Sequence, residues 1–107
     1  MRPMIRLLSA AAIVCMLSAA AHAQNEGAAL FQSNCLMCHG ADGKGSTPMG
    51  QALKVVNLDD PAVVKMSDAE LINSISKGKK SMPAFGPRLT PPQIESLVSY
   101  IRTLQKQ

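Results

Sequence analysis

Residues 34–45 read NCLMCHGADGKG and place Cys35, Cys38 and His39 within five consecutive positions. The whole chain of 107 residues holds only three cysteines and two histidines, so most of its thiol and imidazole chemistry lies in this one turn of sequence. Two thiols and an imidazole at this spacing point to a metal, a redox pair or a covalently held group, and the surrounding sequence discriminates among them.

Upstream, Arg2 and Arg6 precede the apolar run LLSAAAIVCMLSAAA, and small residues follow as AHA at 21–23. A basic start, an apolar run shorter than the ~20 residues of a bilayer span and a small-residue end make the order of a secretory signal peptide. The expectation is a signal over residues 1–23, cleaved after Ala23. The segment AIV before Cys15 lacks the leucine and small residues of a lipoprotein cleavage box, so no membrane anchor is expected after cleavage and Cys15 leaves with the signal. In residues 24–107, nine Lys and Arg face seven Asp and Glu, which lowers the net charge from +4 to +2 and argues against nucleic acid as a partner. His22 leaves too, so Cys35, Cys38 and His39 become the only thiols and the only imidazole of the exported chain.

Three chemistries compete for those residues. A structural zinc site wants four Cys or His ligands, and the exported chain supplies three with no second cluster. A thiol redox pair shares the Cys-x-x-Cys spacing but belongs at a helix start after a strand, and no strand is legible here. Covalent haem attachment uses two thiols on one turn for the two vinyl groups and the adjacent imidazole for the iron, and export suits it. The composition agrees. With no Trp, one Tyr and two Phe, a small domain lacks the large rings that normally fill a core.

The remaining sequence reads as helices and loops. NEGAALFQSNC, residues 25–35, predicts a short first helix with Asn25 as N-cap, Glu26 in its first turn and Ala28, Leu30 and Phe31 on its apolar side. Residues 40–60 are rich in Gly, Asp, Asn, Ser and Pro without a sustained period, and read as one long loop that needs something to wrap. SDAELINSISKG, residues 67–78, predicts a middle helix with a Ser67–Glu70 capping box, an apolar face of Leu71, Ile72 and Ile75, and a stop at Gly78. TPPQIESLVSYIRTLQKQ, from Thr90, predicts a terminal helix capped by Thr90 and Gln93, with Ile94, Leu97, Val98, Ile101 and Leu104 forming one stripe.

Between the last two helices, residues 79–87 read KKSMPAFGP. A thioether is a soft neutral ligand for haem iron, and Met82 is the methionine best placed to be one. Met37 lies between the cysteines, Met49 only ten residues past His39, and Met66 just before a helix, where core packing is the simpler role. Met82 lies 43 residues past His39, in an extended position before a proline.

With these features in place, residues 25–107 resemble class I c-type cytochromes. The resemblance rests on CLMCH, on MPAF, on Gly27 and Phe31, and on Tyr100 within LVSYIRTL. It implies an all-α cytochrome c fold with three main helices and short turns around one covalently attached haem c. The haem would be bound through Cys35 and Cys38, with His39 and Met82 as axial ligands of the iron. It also implies that the first and last helices cross at Gly27 and Phe31 against Tyr100 and that a proline carbonyl, matched here by Pro48, accepts from the imidazole; the chain departs from many members in lacking a Trp near the propionates, where Asn57 and Arg88 are the candidates. The function implied is periplasmic one-electron transfer by a monomer, not an enzyme, docking transiently on redox proteins through Lys77, Lys79 and Lys80, or failing those through Met49, Ala84 and Phe85. The alternatives are the subunit of a periplasmic dehydrogenase or oxidase complex through which electrons enter, and a peroxidase-like activity if Met82 dissociates.

Overall fold

Helices in this chain begin where a short polar side chain can satisfy the first free amides. Thr90 Oγ1 accepts from the Gln93 amide at 3.3 Å while Gln93 Oε1 accepts from the Thr90 amide at 2.9 Å, and Pro91 occupies the first turn, where a missing N–H costs nothing. Ser67 and Glu70 form the same reciprocal pair. Thr47 and Asp60 each cap a shorter helix that again opens on a proline.

The computed structural model describes residues 2–106, and side chains from Ile13 onward other than Ala19 and Ala20. Arg2 and Arg6, the basic flank of the expected signal, therefore lie outside the described side chains. Among the described residues the elements are all helical: α1 (Arg2–Asn34), α2 (Leu36–His39), α3 (Pro48–Ala52), α4 (Pro61–Val64), α5 (Asp68–Lys77) and α6 (Pro91–Leu104). The only extended pairing among them is an isolated antiparallel bridge between Lys79 and Met82. α5, α6 and their two capping boxes match the sequence expectation, and the end of α1 covers the expected first helix.

Two expectations fail. Asn25 is not an N-cap, because α1 runs through it without a break; no Gly or Pro interrupts the stretch between Pro3 and Gly27, and its Ala, Leu and Met residues are strong helix formers. Residues 40–60 are not one loop, because Thr47 and Pro48 start α3 inside it.

The core is assembled on the crossing of α1 and α6. Phe31 and Leu97 are its most deeply buried side chains, joined by Ile94, Val98, Ile101 and Leu104 from α6, Leu71 and Ile75 from α5, Val63 from α4, and Leu58 and Phe85 from the connections. Each such aliphatic or aromatic side chain stabilises by about 1.5–3 kcal/mol when fully buried. α6 also anchors the middle of the chain by polar bonds. Arg102 pairs with Asp68 at 3.0 Å and donates to the carbonyls of Val64 and Met66, and Gln105 Nε2 donates to the Leu58 carbonyl at 2.8 Å.

Gly27 sets how closely α1 and α6 approach. A Cβ at this position would overlap the Ser96 carbonyl and lie 2.9 Å from Tyr100 Cβ. One turn on, the Phe31 ring meets the Tyr100 ring at 5.3 Å between centroids, tilted by 57°. Gly27→Ala is expected to force the helices apart and destabilise the domain by about 1–3 kcal/mol, read as a lowered midpoint in thermal or denaturant unfolding of the intact protein.

Candidate functional site

The Cys-x-x-Cys-His turn is an extension of α1. The Cys35 amide donates to the Phe31 carbonyl at 2.8 Å and the His39 amide to the Cys35 carbonyl at 2.9 Å. Gly27, Phe31, Cys35 and His39 thus follow one another at four-residue steps along a single row. Within that row the buried Phe31 ring lies 6.5 Å from the imidazole, tilted by 47°.

Both cysteines of the turn are free thiols and half-buried. Burial first, and then the neighbouring Cys38, push the Cys35 thiol up to about 11, which keeps it protonated at neutral pH. Burial lowers the His39 pKa, so the ring is neutral, the form that ligates a metal. Its Nδ1 is buried without a hydrogen-bond partner, so the expected bond to the Pro48 carbonyl is absent. Pro48 is the first residue of α3, and a helix directs such a carbonyl along its own axis.

Behind the motif, α3 packs without side chains in the way. A Cβ on Gly50 would overlap the Cys38 and Gly45 carbonyls, and Thr47 Oγ1 reaches the carbonyls of Met37 and Cys38. Neither Thr47 nor Gly50 stood out in the sequence reading, although Thr47–Pro48 carries the same start signal that marks Thr90–Pro91.

Met82 is half-buried and packs against the core, as do Cys35, Met66, Ile72 and Leu89. Its loop is pinned from two sides. Met82 and Lys79 exchange backbone hydrogen bonds of 3.0 and 3.1 Å, and Phe85 and Gly86 donate to the Ile75 and Ser76 carbonyls at the end of α5. Gly78, at positive φ, lies directly beneath, where a Cβ would sit 2.6 Å from the Met82 carbonyl oxygen. Of the alternatives, Met37 and Met49 are exposed, the latter on α3, while Met66 is partly buried against the core like Met82.

Lys79 and Lys80 are exposed beside this loop and Lys77 closes the last turn of α5. Phe85 is buried, which removes it from the apolar docking residues, while Met49 and Ala84 are exposed. Arg88 lies 5.4 Å above the Phe85 ring, and Asn57 Oδ1 accepts from the Asp59 amide.

Residues 22–101 match the family described as cytochrome C oxidase, cbb3-type, subunit III. The chain is 39% identical over 84 residues to the cbb3-type cytochrome c oxidase subunit FixP of Azorhizobium caulinodans, covering 77% of this chain and 27% of that protein. It is 40% identical over 76 residues to cytochrome c6 of Gloeothece citriformis, covering 70% of this chain and 66% of that one. The chain thus spans about a quarter of the FixP subunits it matches and just under two thirds of that cytochrome c6. The solved KustC0563 c-type cytochrome superposes with a TM-score of 0.68 at 32% identity, over 74% of this chain and 96% of that one.

Such relatives imply covalent haem c, and the residues present fit it. A neutral imidazole with a buried, unpartnered nitrogen, two unpaired thiols one turn apart and a half-buried thioether form a donor set of the right softness. Met49, Leu53, Val56 and Val64 also leave apolar surface exposed along the segment between the motif and α5, which a flat hydrophobic group can cover. Because α3 braces the motif through Gly50, Gly50→Ala is expected to displace the Cys38–His39 segment. The exported protein should then retain several-fold less covalent haem and unfold about 1–3 kcal/mol more readily, measured by haem-stained gels and chemical denaturation.

Proposed function

Because the chain belongs to the c-type cytochromes, within the family described as cytochrome C oxidase, cbb3-type, subunit III, we propose that it is a one-electron carrier holding one covalent haem c. Cys35 and Cys38 tether the group through thioethers, and His39 and Met82 are the axial ligands. When bound, haem c supplies a one-electron iron couple, and a His/Met pair raises its potential. The observation that carries this reading is the row Gly27–Phe31–Cys35–His39, which delivers a neutral imidazole and one unpaired thiol, with the Cys38 thiol beside them in the same turn, to one edge of a core poor in aromatic rings.

The chain's residues supply tethering, orientation and exclusion of water. Phe31 and Tyr100 pack behind the motif, and the pinned loop of residues 79–86 presents Met82. With both axial positions taken by protein, no coordination position is left for a substrate, so the domain carries electrons without catalysing a reaction of its own. Export by residues 1–23 places it in the periplasm; Ile13, Val14, Met16 and Leu17 are exposed on α1 and take no part in the core, as suits a segment that is removed. Among the described residues no helix is long and apolar enough to cross a membrane.

Likeness to the FixP subunits favours a second reading, in which the domain serves as a subunit of a terminal oxidase instead of as a free carrier. In either case Lys77, Lys79 and Lys80, flanking the Met82 loop, form a basic collar for an acidic redox partner, and its contribution is to association rate more than to affinity.

Three outcomes are expected. Protein exported with a working haem-attachment system should begin at Gln24 and carry one covalent haem by mass spectrometry. Met82→Ala should then lose the weak near-infrared band of ferric His/Met haem and lower the potential, whereas Met49→Ala and Met66→Ala should not. Replacing Lys77, Lys79 and Lys80 together by Gln should slow electron transfer to the physiological partner about tenfold at low ionic strength. The difference should vanish as salt screens the charges, over about 10 Å at 0.1 M; equal rates for both proteins at every ionic strength would remove the collar.

A further inference from the structure

We infer that Thr47 is a positioning residue for the His39 imidazole, acting through the peptide groups that precede it; the inference rests on the haem reading of the site. The last carbonyls of any helix lack partners within it, and α2, four residues long, consists of little else. Each of its four carbonyls is nevertheless satisfied. The Leu36 carbonyl accepts from the Gly40 amide at 2.9 Å, and the His39 carbonyl from the Gly45 amide at 2.7 Å. Those of Met37 and Cys38 are served by one side-chain hydroxyl, Thr47 Oγ1, at 2.7 and 3.2 Å. Thr47 is the only side chain among these partners.

The same oxygen also accepts from the Gly50 amide at 2.9 Å, which caps α3. The hydroxyl is therefore a joint. It donates its proton towards the carbonyls on either side of the Cys38 peptide and receives a proton from the element behind them. Gly50, which has room only for hydrogen against the Cys38 carbonyl, closes that joint from the other side. The imidazole itself has no hydrogen bond through Nδ1 to fix its plane. Its orientation is left to the Phe31 ring on one side and to the backbone of residues 37–39 on the other, and that backbone is held by Thr47.

Two consequences separate this role from ordinary helix capping. Without the donor, the carbonyl oxygens of Met37 and Cys38 are left as uncompensated negative ends one and two residues from His39, which favours the more positive ferric state and lowers the potential. Without the clamp the ring plane rotates, and the spread of paramagnetically shifted haem-methyl resonances in the ferric protein changes with it.

The experiment uses the exported holoprotein as wild type and as Thr47→Ser, Thr47→Val and Thr47→Asp. Ser keeps donor and acceptor, Val keeps the shape but neither function, and ionised Asp keeps only the acceptor that caps α3. Potentials are compared among the uncharged wild type, Ser and Val, and haem-methyl shifts and melting temperatures among all four. A lowered potential in Val together with an altered methyl pattern in Val and Asp, and neither in Ser, supports the inference. If Asp retains the wild-type methyl pattern, or if Val melts earlier at an unchanged potential, Thr47 is a helix cap and the inference falls. Should Val not fold, the Asp pattern decides alone. Wild-type protein without covalent haem would overturn the haem reading itself, which is a different failure.

Discussion

The close approach of α1 to α6 at Gly27 is the constraint from which the site follows. A helix transmits register along its i, i+4 row, so fixing Gly27 against the Ser96 carbonyl fixes Phe31 one turn later, and through the Phe31 carbonyl the amide of Cys35. The Cys35 carbonyl then fixes His39. α1 formally ends at Asn34, yet the bonds continue across the break, so thiol and imidazole inherit a position set more than two turns upstream. The absence of a side chain at Gly27 thereby becomes a geometric instruction to the ligand residues.

The same economy explains what fills the core. Among the described residues its eleven buried apolar side chains include only two aromatics, Phe31 and Phe85, and several other apolar side chains between the motif and α5 remain in contact with solvent. A chain this short meets the shortfall by enclosing a non-peptide group, and the loops after α2 and around Met82 are correspondingly fastened to helices by the backbone amides of Gly45, Phe85 and Gly86.

Much of this was legible in the sequence because it rests on local chemistry. The capping boxes at Ser67 and Thr90, the apolar stripe of α6 and the Cys-x-x-Cys-His spacing each depend on neighbours within four residues, and each stands as expected. The start of α1 was misread at Asn25 because a capping residue acts as one only when the chain before it leaves the helix, and the residues before it are strong helix formers. α3 and α4 were hidden by the polar composition around them, though Thr47–Pro48 and Asp60–Pro61 repeat the start signal of α6. The unpartnered His39 Nδ1 and the triple role of Thr47 could not be read at all. They depend on which carbonyls a folded turn presents, and spacing along the chain does not encode that.

Arg102 and Gln105 carry a consequence for motion. Together they hold the segment from Leu58 to Asp68 to α6 through a few side-chain bonds to backbone carbonyls and one largely exposed ion pair, with just Leu58, Val63 and Met66 of that segment set into or against the core. Such a strap opens as a unit at far lower free energy than the α1–α6 pair unfolds, so its amides exchange with solvent deuterium through local opening while those of α6 wait for global unfolding. The strap is thus expected to breathe, whereas the imidazole is tied through Cys35 and Phe31 to α1 and so to the α1–α6 pair.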